Sequence, residues 1–287
     1  MVCYMMSKMK LATYNEILEQ IHTYEVREAL PLIAQKFPSV SMKALGSIYS
    51  QDYQKKMRKT HHYHYRQDTM ENYYRRFMKG IETGETQILI RLSEEIDLSP
   101  ALLARIIMER HLAHTKYDGE NPPKGVVTQL MKEPSLIEEP AIAAEVHLSI
   151  LSDDHYGPLC DSIKHSFGHE YEFKLKRTLD KFGLAYIGEE QMRAKGYDKT
   201  PDIKLEVPIA VDGHVVNWIE SKASFGDEYS HKMYLKDQFW SYWNRFGPGM
   251  VIYWFGFIEE LDVNRDKGII LREDFPENIV KMDPSLR

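Results

Sequence analysis

Residues 200–222 read TPDIKLEVPIAVDGHVVNWIESK, and this stretch decides how the C-terminal half folds. Ile203, Leu205, Val207, Ile209 and Val211 alternate with other residues at the two-residue period of a strand. Val215 to Ile219 is a second β-branched and aromatic run, and Asp212-Gly213 between the two is a hairpin signal. Loop length sets which side chains meet. A two-residue turn puts Val211 opposite His214 and turns Asp202 away from Glu220 and Lys222. A three-residue loop, Val211-Asp212-Gly213, pairs Ala210 with His214, Ile209 with Val215, Leu205 with Ile219, Lys204 with Glu220 and Asp202 with Lys222. The second register is the predicted one. Its polar pairs are of opposite charge and its other face is apolar.

That register gathers Asp202, Glu220 and Lys222. Glu220 and Lys222 are two apart on a strand and share a face. Neighbouring carboxylates repel unless a cation lies between them, and their hard oxygens suit Mg²⁺ or Mn²⁺. Such an ion polarises a phosphodiester and lowers the pKa of a bound water, while a lysine orients that water or stabilises charge on the phosphate. The backbone carbonyl of Ser221 is a further oxygen ligand. The plain alternative is an exposed hairpin edge with weak salt bridges.

The flanks extend the pattern. His169 to Phe182 reads as a helix with Phe173, Leu175, Leu179 and Phe182 apolar, carrying Glu170 and Glu172 and ended by Gly183. Asp237 to Tyr242 reads as helix, with Gln238 and Tyr242 on one face, ended by Gly247-Pro248-Gly249. Met250 to Phe257 is a buried strand. The order is helix, strand, hairpin strand, helix, strand. Arg193, Lys195 and Lys199 precede Asp202 and suit either phosphates or a solvated loop. His165, His169 and His231 have no paired spacing for zinc and read as packing or surface residues. Trp240 and Trp243, on an amphipathic helix, read as core or partner-facing.

The first half is helical in pattern. Ile17 to Ile33 has roughly helical spacing. Leu32 to Phe37, a break at Pro38-Ser39, an N-cap at Ser41 and a run from Ala44 to Tyr53 give a helix pair. A second pair is Ile88 to Ile96, then Ser99 as cap with Pro100 at the first position, then Leu102 to Leu112. Both resemble helix-turn-helix units, although most such pairs simply pack a core. Between them Lys55, Lys56, Arg58 and Lys59 precede a His- and Tyr-rich run to Arg66, which suits phosphate contact, base stacking or nuclear import as much as a solvated helix end. Asp118 to Gly125 is a polar breaker, and a shorter helix within Ile137 to Ile150 is expected to be interrupted at Pro140. The predicted segments are 1–66 and 67–150, both helical, and 151–287, where strands enter.

Composition excludes several classes. With 43% hydrophobic residues the 287-residue chain can bury a sizeable core. No run of about 18 apolar residues suggests a membrane span. The opening residues lack a signal-peptide pattern, and Cys3 and Cys160 cannot build a disulfide framework, so an intracellular protein is expected. A net charge of −6 argues against a general nucleic-acid coat, but local basic patches matter more than the total.

The runs KGYDKTPD, WIESKASFGDE and DQFWSYWNRFGPG carry a resemblance. The arrangement is similar to the PD-(D/E)xK superfamily of restriction enzymes and junction resolvases, and more specifically to the codanin-interacting nuclease family of animals, over nearly the whole chain. The resemblance implies a mixed α/β protein, with a helical N-terminal half and a restriction-endonuclease-like mixed sheet flanked by helices. It implies a Mg²⁺- or Mn²⁺-dependent, structure-selective endodeoxyribonuclease acting on DNA, branched DNA included. Asp202 and Glu220 are then metal ligands, Lys222 the catalytic lysine, Gln238 a residue that helps hold the site, Tyr242 a contact to the DNA backbone, and Glu172 a further acidic ligand, with Glu170 as its alternative. It also implies partnership with codanin, a role in erythroid development, a nuclear location with a cytoplasmic share, and the homodimers common among resolvases. The competing reading is a catalytically weak scaffold on the same fold that mainly binds codanin or nucleic acid.

Overall fold

The hairpin of residues 200–222 closes with the two-residue turn, which corrects the predicted loop. In this computed structural model, which describes residues 8–24 and 27–282, strands β1 (Tyr186–Gly188), β2 (Ile203–Val211) and β3 (His214–Lys222) are antiparallel neighbours. Asp212 and Gly213 have φ of 48° and 80°, the two left-handed residues a tight hairpin turn of this hand needs. Gly213→Ala is expected to lower stability by about 1 kcal/mol in urea unfolding, because a Cβ strains that conformation.

From the turn, Val211 pairs with His214, Ala210 with Val215 and Ile209 with Val216. Continued unbroken, this ladder would set Asp202 opposite Ala223, away from Glu220. It is broken instead. Five residue steps of β2, from Lys204 to Ile209, run against two of β3, from Val216 to Trp218. Beyond the irregularity Lys204 pairs with Trp218 and Ile203 with Ile219, not with the residues predicted. The excess is odd, so the facing parity reverses and Asp202 comes level with Glu220. Pro208, which has no N–H for the ladder, lies within the irregular stretch. Val207, predicted to point inward, is 51% exposed there.

Strands β4 (Gly249–Tyr253) and β5 (Ile269–Arg272) extend the sheet in parallel, in the order β1-β2-β3-β4-β5, and β6 (Val280–Lys281) pairs with the far end of β2. Alternation along β4 is strict. Met250 and Ile252 enter one core, and Val251 and Tyr253 enter the core on the other face. A strand buried on both faces reads as continuously apolar, which is why MVIY was legible. Gly249 has no freedom at all: a Cβ there would lie 2.1 Å from Cε2 of Trp218.

The chain divides into two compact units, residues 1–49 with 166–287, and residues 50–165. Both divisions fall inside helices, whereas the predicted ones fall at 66 and 150. The sheet unit takes α1 (Leu11–Tyr24), α2 (Leu30–Lys36) and the start of α3 (Met42–His64). Ala44, Leu45 and Ile48 at the start of α3 belong to the sheet core, while Met57 further along belongs to the helical core. Ser41 caps α3 as expected, its Oγ accepting from Ala44 N at 3.1 Å. The helical unit is built from α4 (Gln67–Glu82), α5 (Ile88–Ile96), α6 (Pro100–Thr115), α7 (Lys124–Lys132) and α8 (Pro140–Leu151). Ser99 caps α6 ahead of Pro100, as its sequence implies. Pro140 starts α8 at its first position and does not interrupt it.

Helix α9 (Pro158–Lys181) is longer than predicted. Tyr171, Leu175 and Leu179 form its buried face, and Phe173, expected inside, is 63% exposed. Then come α10 (Glu189–Ala194), α11 (Glu228–Tyr234), a π-helical turn (Leu235–Phe239) and α12 (Trp240–Phe246). The described residues thus form a mixed α/β protein of 12 α-helices and a six-stranded mixed sheet. Among them no helix is long and apolar enough to cross a membrane.

Candidate active site

Face-sharing with Trp218 puts Glu220 and Lys222 on the side of the sheet covered by the π turn and α12. Asp202 joins them just before β2 begins. Its N–H donates to Glu220 Oε2 at 3.3 Å, and its Oδ2 accepts from Ser221 N at 2.7 Å. Lys222 Nζ lies 2.7 Å from Glu220 Oε1 and donates to Gln238 Oε1 at 3.0 Å. The Tyr234 ring faces the same ammonium at 4.5 Å. The structure therefore brings together Asp202, Glu220, Ser221, Lys222 and Gln238. Glu220 is 3% exposed, and the side chain of Lys222 is 16% exposed.

The electrostatics are those of crowded, buried carboxylates. Burial, and then Glu220 beside it, push the Asp202 carboxyl well above its ordinary range, against the Ser221 N–H and Lys222. Burial likewise raises Glu220, with Lys222 opposing. Burial works against the charge of Lys222, but Glu220 outweighs it and holds the ammonium above its usual value. Two acids facing one lysine leave one carboxyl without a cationic side-chain partner. Among the described residues nothing hydrogen-bonds Asp202 Oδ1.

The oxygens with the chemistry to hold a hard cation are the two carboxylates and the Ser221 carbonyl. In a strand a residue's C=O points to the same side as its N–H, and the Ser221 N–H points at Asp202. Among the described residues no three His, Cys, Asp or Glu side chains converge closely enough to hold an ion. Glu172 lies on α9, and its charge reaches Asp202.

The remaining candidates divide by what they touch. Tyr242 is buried at 4% exposure with its ring against Trp218, and its hydroxyl is raised by burial and by Glu220, Asp202 and Glu189. Lys199 Nζ donates to the Asp237 carbonyl at 2.8 Å, and Arg193 pairs with Glu189 at 2.6 Å. Lys195 is exposed. Lys55, Lys56, Arg58 and Lys59 belong to the helical unit, with Lys56 bridged to Asp97. His231 is buried against Tyr253, and burial lowers its pKa to about 4, as suits a packing residue.

Three residues at the site were missed by sequence reasoning. Glu189 opens α10 and influences Glu220 and Tyr242. Tyr234 lies four residues before Gln238, a spacing that was there to be read. Trp254 Nε1 donates to Ser221 Oγ at 2.8 Å, and its backbone N–H donates to the Lys222 carbonyl at 3.0 Å; no local pattern announces it.

Comparison with known proteins places the chain. It is 50% identical over 277 residues to CDAN1-interacting nuclease 1 of Xenopus laevis, covering 96% of this chain and 91% of that one. The chain belongs to the CDAN1-interacting nuclease 1 family. The human member is 48% identical over 277 residues, covering 96% of this chain and 98% of its own length, and the Gallus gallus member is 45% identical over 281 residues, covering 97% and 98%. Residues 138–275 also match the family model described as a protein of unknown function with the TPD sequence motif. The letters Thr200-Pro201-Asp202 stand inside that match. No solved structure matches the chain.

Proposed function

We propose that this protein is a metal-dependent phosphodiesterase of the PD-(D/E)xK type that cuts DNA, with Asp202, Glu220 and Lys222 as its working residues. The observation that carries the reading is the level pairing of Asp202 with Glu220 beside a lysine held by Gln238. A buried carboxylate pair with one lysine has an obvious charge partner in a divalent cation. Asp202, Glu220 and the Ser221 carbonyl would hold Mg²⁺ or Mn²⁺. That ion, when bound, supplies Lewis acidity toward the phosphate and a more acidic water. Lys222 presents its ammonium to the scissile phosphate and stabilises charge developing there. Glu220, Gln238 and the Tyr234 face fix where that ammonium points. Glu172 stands as an outer acidic group. The helix pairs and the basic residues of α3, with Arg193 and Lys195 at the end of α10, are proposed nucleic-acid contacts.

Relatives sharing about half their residues carry the name CDAN1-interacting nuclease 1, and we extend both parts of it to this chain: nuclease chemistry and binding of codanin. Structure selectivity, with branched DNA as substrate, a homodimer, a nuclear location and a role in erythroid development are further parts of the proposal.

The test is incubation of the full chain with linear and branched DNA in Mg²⁺, Mn²⁺ or EDTA, with thermal melts alongside. Cleavage in metal alone is expected. So is a stabilisation of about 2.7 kcal/mol at a metal concentration 100 times the dissociation constant. A melt that ignores both metals, together with no cleavage, would reject the hydrolytic reading and leave the codanin-binding scaffold.

A further inference from the structure

Asp202 is delivered to Glu220 by an irregular segment, not by a ladder. Residues 195–202 lie between α10 and β2 outside any helix or strand, so something else must hold them to ångström precision. Arg245 on α12 does much of this. Its Nη1 donates to the Lys199 carbonyl at 3.0 Å and its Nη2 to Asp198 Oδ1 at 2.9 Å. Its guanidinium also lies 5.4 Å from the Tyr197 ring centre, and Tyr197 meets Phe246 edge-on at 5.7 Å. Lys199 returns the connection: its Nζ donates to the Asp237 carbonyl at 2.8 Å, next to Gln238 in the π turn. Lys199 thus ties the segment that carries Asp202 to the turn that carries Gln238, and Arg245 ties it to α12, the helix that continues directly from that turn.

We infer that Arg245 and Lys199 are positioning residues, a latch that keeps Asp202 and Gln238 in register with Glu220 and Lys222. The inference rests on the proposed hydrolytic reading for its consequence in activity, but the latch itself is a statement about two segments. Arg245 and Asp198 are 37% and 79% exposed in their side chains, so their ion pair contributes little to global stability. Their effect is local order. The π turn that Lys199 reaches is a single turn of a rare helical geometry that recurs at functional sites. A one-ångström displacement of a metal-facing carboxylate is costly to turnover even when the fold is intact.

The experiment uses the full chain and compares wild type with Arg245→Met and Lys199→Met, and with Lys199→Arg, which keeps a donor and should restore most of the effect. Amide hydrogen exchange without metal is the first readout. Exchange is expected to quicken about tenfold both in 196–202 and in 235–239, with β4 unchanged. The second is turnover of the DNA substrate that wild type cleaves, where kcat should fall about tenfold or more with KM little changed. Unchanged exchange in the π turn, or exchange that quickens equally throughout the sheet, overturns the latch. So does unaltered kcat in Arg245→Met and Lys199→Met on an active wild type. Faster exchange in both segments with an inactive wild type keeps the latch and rejects the nuclease reading instead.

Discussion

Asp202→Asn is expected to abolish cleavage while making the metal-free protein more stable. The amide keeps an oxygen for the Ser221 N–H, which now bonds Oδ2 at 2.7 Å, so the local backbone should persist. What disappears is a buried negative charge facing Glu220. In the proposed reaction that charge is half of the cation's carboxylate pair, and its loss should lower kcat by about 10³-fold or more, roughly 4 kcal/mol at 1.36 kcal/mol per decade. In the metal-free protein the same charge is a liability, since burial and Glu220 push the Asp202 carboxyl well above its ordinary value near 3.8.

The pH dependence follows with a definite sign. A carboxyl raised in the folded state binds its proton more tightly folded than unfolded. Its contribution therefore favours the fold at low pH and is lost as pH rises through the raised value. Glu273, raised by burial from 4.5 to about 7 against the pull of Lys8, marks one window between those two values. Asp202 and Glu220 act in the same direction from 3.8 and 4.5 upward. Metal-free wild type should melt progressively lower as pH is raised from about 5 toward neutrality. Asp202→Asn should flatten that slope, and Glu273→Gln should remove only its own part. A melt of Asp202→Asn that falls with pH as steeply as wild type would show that these carboxyls are not strained. Cleavage at wild-type rate would remove Asp202 from the chemistry.

Gly249→Ala is expected to have the largest effect on stability. The Cα of Gly249 is packed against the indole of Trp218, which is fully buried and donates from Nε1 to the Gly247 carbonyl at 2.8 Å. A methyl group would arrive 2.1 Å from Cε2 and 2.2 Å from Cδ2 of that ring. Neither β3 nor β4 can yield, since Trp218 and Gly249 pair directly in the parallel ladder. The cost should be about 3 kcal/mol or more, the upper range for overpacking, out of a total of roughly 5–15 kcal/mol for a folded domain. Urea unfolding followed by circular dichroism measures it, and a loss below about 1 kcal/mol would mean that the sheet repacks more freely than its geometry indicates.

Local patterns marked the longer elements and the candidate residues Asp202, Glu220 and Lys222. Asp212-Gly213 announced a turn, because two successive left-handed residues suit few other pairs. Ser99-Pro100 announced a helix start, and the apolar run of β4 announced a strand buried on both faces. The charge types of Asp202, Glu220 and Lys222, with Thr200-Pro201 ahead of them, are the sequence basis of the hydrolytic site proposed above. Short elements escaped. β1, β5 and β6 are three, four and two residues long, too brief for a period to register.

The tertiary structure decided how the site is assembled. Sequence logic required a three-residue loop to bring Asp202 to Glu220, yet the chain uses the two-residue turn and repairs the parity with an irregularity around Pro208. Many loop and bulge combinations give the same facing of residues, so composition could demand the meeting without saying how it is made. Trp254 on Ser221 and Arg245 on the Asp202 segment likewise come from elements distant along the chain, where no spacing rule operates. Residue type carries chemistry locally. Position within an ångström is a property of packing among segments, and only the folded chain supplies it.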